Sequence, residues 1–492
     1  MLQALLFGVG AIWVARVAGI LVGLVVLPVL FRRLDPFELG IWMLFGQACG
    51  LLQLLDFGLK AVLTRRIAMA TGAAHDFSGD GAHWVATGRR LSQWLAAGVL
   101  VAGVIIGFPM ILPLDLAHVS QAEAWSAWIM LCLASAVVVG SGWLGSVIAG
   151  AGQVGPDVLL LGGGTVLAAF LQVAVAAAGG RLVWLAAATL ASSLVYPWVA
   201  RCFVHRQLPL AMAGGEWRRH MVASMQSPAL RLWLTTIGGF MIMRTDQFVI
   251  AYALGSDHIP RYQAAWQIVM TLHGVAVAIA TASSVFVSKL WVAGRMEEIH
   301  RLVRTGLHLG LAMFSCAAAV LLTCGDLVFR LWLGPGSFPG RTLIAVLCVT
   351  FWLETQHVIV AIASRATDDE PFAPWALGAG ALNLVLSVWL VGPLGVIGVA
   401  LATTLAQLAT NNWYAVYRGS RRLNMRISDH VLKVLLPGFA ILALATSAAW
   451  TARRLAGEGG FAGLVAATAS ALAVWSVVAA VCVRGRTSRA TA

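Results

Sequence analysis

Apolar stretches long enough to cross a bilayer recur from one end of this chain to the other. Short segments between them collect most of the charges. About 20 apolar residues in a helix rising 1.5 Å per residue match a hydrocarbon layer of about 30 Å. About fourteen such spans can be marked, near 5–31, 37–60, 92–113, 124–150, 156–179, 182–204, 227–254, 260–288, 303–324, 341–363, 372–391, 393–417, 431–452 and 461–483. The runs are continuous and do not alternate, which excludes a membrane β-barrel. The fold class expected is an all-α polytopic membrane protein with about 14 transmembrane helices.

Composition agrees. The 492 residues are 60% hydrophobic and 11% charged, where a soluble chain carries about 25% charged residues. The first run ends in "VLFRRLDPFELG" with no small-residue cleavage site, so it reads as a retained span and not a signal peptide. The net charge of +13 does not indicate nucleic acid, because no basic helix or aromatic–basic interleave accompanies it. With the N-terminus inside, about 22 Lys and Arg fall in inward loops and the C-terminal tail, and about 8 in outward loops. That asymmetry puts both termini in the cytoplasm. The seven cysteines include no C-x-x-C pair and read as small apolar packing residues.

The chain also repeats. Arg16 in the first span matches Arg231 in the seventh, and "LAAATLASSL" (185–194) resembles "VALATTLAQL" (399–408) at nearly the same offset. "RRLDPFELGIW" has a counterpart in "YALGSDHIPRYQ", and "IAGAGQVGPD" one in "IASRATDDEPFAP". Six helices per half keep the halves in one orientation, as in transporters with parallel repeats related by a pseudo-two-fold axis. The expected organisation is a six-helix lobe over 1–204, an amphipathic cytoplasmic linker over 205–226 with Trp217, Met221 and Met225 at helical spacing, and a second lobe over 227–420. Two further helices over 421–483 and a tail over 484–492 follow.

Ionisable residues inside spans cost about 2.5–3.5 kcal/mol each on insertion scales. "LLQLLDFGLKAVLTRRIA" carries Asp56 and Lys60 one helical turn apart, which reads either as an interfacial ion pair or as part of a polar cavity. Arg65 and Arg66 follow as topology anchors. In "GGFMIMRTDQFVIAYALG", Arg244 and Asp246 point roughly 200° apart on a helix and cannot pair with each other. Cavity lining or an ion pair to another span would account for them. Arg16 stays cationic mid-span and suits a phosphate or carboxylate partner. Arg231 lies nearer a span end, where it can snorkel. Glu354 and His357 share a helix face, but a di-metal site needs a second copy that the sequence lacks. His273, Asn383 and Asn411 are further polar positions, read as helix–helix hydrogen bonding or as cavity lining. No phosphate-cradling, metalloprotease or nucleophile-elbow motif is present. The reading is therefore a transporter, not an enzyme, without metal or cofactor, and H+ or Na+ coupling is left open.

"RVAGILVGLVVLPVLFRRLDPFELGIWMLFGQACGLLQLLDFGLKAVLTRRIA" resembles the N-terminus of polysaccharide (O-antigen, Wzx-like) flippases. The "L-x-P-x-E-x-G-x-W" turn and the "LDFGL" segment carry the likeness, and "RTDQFVIAYALGSDHIPRYQAAW" resembles the family's seventh span. These flippases belong to the superfamily that groups MATE multidrug exporters with oligosaccharide-lipid translocators. The resemblance implies translocation of a polyprenyl-pyrophosphate oligosaccharide across the bacterial cytoplasmic membrane, by alternating access around a cationic cavity, for O-antigen, capsule or exopolysaccharide export. It implies Arg16, Arg244, Arg231 and Lys60 at an anionic headgroup, and Asp56, Asp246, Glu354 and His357 in gating or coupling. His273, Asn383 and Asn411 would be polar lining, and a polymerase and glycosyltransferases would be neighbours. A lipid II flippase, a MATE-type exporter and a non-transport subunit of a glycan assembly complex remain as alternatives. The absence of a carboxylate in the first span counts against the exporter.

Overall fold

The residues around the first turn show how the sequence builds the helices. The structure is a computed structural model that describes residues 2–71, 77, 79–114, 116, 119–212, 214–367, 372–457 and 460–487, with backbone only at 2–9, 212, 231, 285 and 483–487. Helix α1 (Leu2–Arg33) stops at its two arginines, and α2 (Pro36–Gln53) starts two residues after Leu34. Asp35 caps α2, its Oδ2 accepting the Phe37 N–H at 3.0 Å. Pro36 occupies the first turn, where a missing N–H costs nothing. Buried Glu38 accepts the Leu182 N–H at 2.8 Å and faces Arg181 Nε at 3.4 Å. It thereby caps the helix that begins at Leu182. A Cβ at Gly40 would collide with the backbone carbonyl of Ser256. The "L-x-P-x-E-x-G-x-W" stretch is thus a joint, held by one buried carboxylate and one bare α-carbon.

Among the described residues every regular element is helical. After α2 come α3 (Leu59–Thr71), α4 (Asp80–Ile111), α5 (Gln121–Gly150), α6 (Val154–Ala177), α7 (Leu182–Gln207) and α8 (Arg219–Arg244). Then follow α9 (Asp246–Ala253), α10 (Ile259–Val292), α11 (Met296–Leu333), α12 (Arg341–Arg365), α13 (Ala373–Ala409) and α14 (Asn411–Arg422). The short α15 (Ile427–His430) passes through a π-turn into α16 (Leu436–Leu455), and α17 (Phe461–Thr487) ends the series.

The contacts divide the chain into two units, 1–240 with 254–260, and 241–253 with 261–492. In the first, α5 is the most enclosed span, packed by α4, α7 and α3. Gly103 and Gly107 let α4 approach it. A Cβ at Gly107 would stand 2.6 Å from Trp128 Nε1, which donates to the Gly103 carbonyl at 2.8 Å. Small residues at helix contacts are the usual device where lipid supplies no hydrophobic drive. The outer face of α4 shows Val101, Val104, Ile105 and Phe108 at helical spacing, all exposed, as a lipid-facing stripe requires. In the second unit, α11 and α12 are enclosed. Cys316 and Ala319 of α11 meet Ala445 and Ala449 of α16 and Ala467 and Ala471 of α17. Arg453 fastens α16 to α11 by a two-pronged pair with Asp326, both contacts 3.0 Å.

Twelve stretches among the described residues are long and apolar enough to cross a membrane, and the chain is a multi-pass membrane protein. Two features account for the difference from fourteen. The 50-residue stretch Ala373–Arg422 would be about 75 Å long if straight, but it turns at Gly395 (φ 59°, ψ −144°). Thr403 Oγ1 consequently donates to Asn383 Oδ1 at 3.0 Å, although twenty residues of straight helix would hold them about 30 Å apart. α13 is therefore a hairpin of two arms. The segment expected as the seventh span is divided at Thr245 into α8 and α9.

The expected linker helix over 205–226 is not a separate surface element. α7 continues to Gln207, a 3-10 turn covers Pro209–Met212, and α8 begins at Arg219. Met221 and Met225 are buried in the first unit's core beside Leu63 and Val147, and Trp217 packs on Trp94. Met221 and Met225 thus mark a core face of α8, and Trp217 lies before that helix.

Candidate functional site

The second span is interrupted where its charges begin. A 3-10 turn, Leu54–Asp56, leads into Phe57 and Gly58, both at positive φ, before α3 restarts at Leu59. Asp56 Oδ1 accepts the Gly58 N–H at 2.8 Å and stabilises the turn. The Leu54 carbonyl, which closes the turn by accepting the Phe57 N–H at 3.1 Å, also accepts Trp233 Nε1 at 2.7 Å, and Phe57 lies against the Trp233 ring. Irregular backbone at membrane depth is tolerated where protein or a wet cavity re-satisfies it.

This break overturns the proposed pairing of Asp56 with Lys60. The i,i+4 rule assumes a continuous helix, and the left-handed residues between the two remove that geometry. Lys60 Nζ instead lies 3.3 Å from Asp157 Oδ2 at the start of α6. Asp157 is buried and also accepts the Tyr196 hydroxyl of α7 at 3.0 Å. Ser146 of α5 donates to the Lys60 carbonyl at 3.0 Å. A Cβ at Gly145 would stand 2.7 Å from both Asp157 Oδ1 and Tyr196 Oη, and 2.9 Å from Lys60 Nζ. Four helices thus converge on one charged group packed over a bare α-carbon. Arg65 and Arg66 sit on α3, which runs on to Thr71. Arg66 donates to the Ser224 carbonyl at 3.0 Å.

A second group lies in the second unit, at the break between α8 and α9. Asp246 is the first residue of α9, where the helix N-terminus favours a carboxylate. It is 3% exposed and receives the Tyr262 hydroxyl of α10. Asn383 Nδ2 and Thr403 Oγ1 each approach it at 3.4 Å from the two arms of α13. Asn383 also donates to the Met241 and Ile242 carbonyls near the end of α8, at 3.4 and 3.3 Å, and Thr245 Oγ1 donates to that of Met241 at 2.7 Å. Arg244 is exposed at the end of α8, and Thr245 separates it from Asp246 at the start of α9. The donors around Asp246 are neutral, and a buried carboxylate so held is costly until a cation or proton joins it.

Glu354 lies on the same cavity. It pairs with His357 at 3.1 Å, both buried, and hydrogen-bonds Gln407. The cavity, about 10 Å³ and of the size of one water, is lined by Asp246, Tyr262, Thr350, Glu354, Thr403 and Gln407 among others. The Gln407 carbonyl oxygen is buried there with no partner. His273 Nδ1 meets Thr355 Oγ1 at 2.9 Å, a bond between α10 and α12. The Asn411 carbonyl oxygen is buried and unpartnered. Arg16 is exposed on α1 with its guanidinium 5.9 Å from the Trp13 ring centre. The Arg231 side chain lies outside the described residues. Among the described residues no group of three His, Cys, Asp or Glu could hold a metal ion.

No family model matches the chain. Solved structures do. A lipid II flippase MurJ in an inward closed conformation superposes with a TM-score of 0.75 at 12% identity, over 97% of this chain and 99% of that one. An inward-facing multidrug resistance MATE family transporter of the MOP superfamily gives 0.69 at 16% identity, over 82% and 95%. The chain has the fold of these transporters. A curated relative, the probable low-salt glycan biosynthesis flippase Agl15 of Haloferax volcanii, is 24% identical over 190 residues. The match covers 38% of this chain and 40% of that protein, so less than half of the relative's length is spanned.

The charges inside spans were visible as candidates, but their partners were not. Asp157, Tyr196, Tyr262, Thr403 and Gln407 complete the two groups, and none stands out from a polar background of Ser, Thr and Gly. Asp157 offered one signal: a carboxylate two residues after a glycine-rich turn, in "GQVGPD", at the start of an apolar run.

Proposed function

We propose that this protein is a flippase that moves a lipid-linked oligosaccharide, a sugar chain on polyprenyl pyrophosphate, across the cytoplasmic membrane by alternating access, supplying O-antigen, capsule or exopolysaccharide. The observation that carries the reading is that two spans are interrupted at their charged residues, in a fold shared with a lipid II flippase and MATE transporters. Broken spans put polar groups and helix ends at membrane depth, where a headgroup and a coupling ion need them. Arg16, Arg231, Arg244 and Lys60 would meet the anionic headgroup. Asp246, with Glu354 on the same cavity and His357 paired to that glutamate, would take the coupling H+ or Na+. A polymerase and glycosyltransferases would work beside it.

A second reading, a lipid II flippase, is favoured by near-complete coverage of the MurJ chain. One experiment separates the two. In a deletion strain, polyprenyl-linked glycans are extracted and their leaflet determined. The proposal expects complete sugar units held on the cytoplasmic leaflet with surface polysaccharide lost. Peptidoglycan precursor accumulating instead would establish the second reading. Normal glycan lipids and intact surface polysaccharide would refute both.

A further inference from the structure

The Lys60 group has an asymmetry that a purely structural ion pair does not need. Asp157 is 5% exposed and keeps the Tyr196 hydroxyl as well as the ammonium. The Lys60 side chain is 36% exposed against 7% for that of Asp157. An ammonium has three donors, and Asp157 engages one side of it. The Lys60 backbone is held too, since its carbonyl accepts both Ser146 Oγ at 3.0 Å and Thr64 Oγ1 at 2.7 Å. A flexible four-carbon stem is therefore fixed at its root by two hydroxyls and at its tip by a buried carboxylate. The ammonium is left partly open.

We propose that Asp157 and Tyr196 are positioning residues that hold Lys60 ready for a diphosphate headgroup. Lys60 binds the incoming anion with the donors Asp157 does not use. Tyr196 keeps Asp157 in place as the ammonium is drawn toward the ligand. Gly145 is the bare surface against which these three groups are packed. The inference deepens the flippase reading and rests on it for the identity of the headgroup, but binding can be measured without transport.

The test uses the full chain in lipid nanodiscs, titrated with farnesyl pyrophosphate and, as control, farnesol, with Tm recorded for each variant. Wild type should bind the pyrophosphate and not the alcohol. Lys60→Gln should weaken binding at least about tenfold, the size of one charge-assisted hydrogen bond. Tyr196→Phe should weaken it by a smaller factor and leave farnesol unaffected. Lys60→Gln alone leaves Asp157 buried without its cation, so the decisive variant is Lys60→Gln with Asp157→Asn, which removes both charges together. Recovery of Tm without recovery of pyrophosphate binding supports the proposal. Wild-type affinity in that double variant overturns it, as does a wild-type protein that does not distinguish pyrophosphate from alcohol. Lys60-dependent binding in a protein whose deletion leaves glycan lipids normal would refute the flippase reading and leave the site standing. Transport intact without Lys60-dependent binding would do the reverse.

Discussion

Gly145→Ala places one methyl group where three helices present polar atoms. The new Cβ would lie 2.7 Å from Asp157 Oδ1, 2.7 Å from Tyr196 Oη and 2.9 Å from Lys60 Nζ, against an ordinary contact floor of 3.4 Å. Each group must retreat by about half an ångström or more. The lysine tip can do so readily. Asp157 is buried and cannot move without shifting α6 or losing the Tyr196 bond. Overpacking of this kind costs about 1–3 kcal/mol. Weakening the Lys60–Asp157 pair adds less than about 1 kcal/mol, because Lys60 is one-third exposed and its share is screened. The expected total is about 2 kcal/mol, read as a Tm lower by a few degrees in the purified protein. Adding Tyr196→Phe removes one of the two shortest contacts. The double variant should therefore lose less than the sum of the singles, with a coupling of about 0.5–3 kcal/mol. Unchanged Tm in Gly145→Ala, or strict additivity with Tyr196→Phe, would refute the idea that these groups are packed as one unit.

Three other substitutions probe separate parts of the fold. Asp246→Asn retains the shape of the side chain and should leave protein levels near normal while abolishing ion-dependent transport in proteoliposomes; transport with unaltered ion dependence would remove Asp246 from coupling. Glu38→Gln withdraws the charge from the Leu182 N–H and Arg181, and should cost about 1–2 kcal/mol of stability with substrate affinity unchanged in the same binding titration. Gly395→Ala forces a side chain into a positive-φ position and should cost about 1–2 kcal/mol, seen as a lower Tm; an unaffected Tm would mean that the hairpin of α13 does not depend on that residue.

The fold was legible because its signal is coarse. A run of twenty apolar residues has few alternatives to a spanning helix. The breaks were harder to see. "LDFGLK" contains a glycine, but glycines are frequent in membrane helices and most do not interrupt them. Asp56 and Lys60 were therefore read with continuous-helix geometry, as an interfacial ion pair or as part of a polar cavity. Their true partners, Gly58 N–H and Asp157, depend on backbone angles at Phe57 and on a contact 97 residues away in sequence. The same limit hid Thr403. Its role at Asp246 exists only because α13 doubles back; the separate spans read at 372–391 and 393–417 anticipated the turn, but not which side chains it brings to the carboxylate. The 200° argument for Arg244 and Asp246 likewise assumed a continuous helix, which the break at Thr245 removes.

The fold-back of α13 has a thermodynamic consequence. Asn383 sits on one arm and Thr403 on the other, and both reach the same carboxylate across the bend at Gly395. The position of Asp246's donors is therefore a function of the angle between the arms. Whatever occupies that carboxylate binds one angle better than another, and in doing so biases the bend. By reciprocity, any force that changes the bend must change the affinity at Asp246 by the same free energy. A single helix folded on itself in this way links occupancy of the carboxylate at one end to helix tilt at the other.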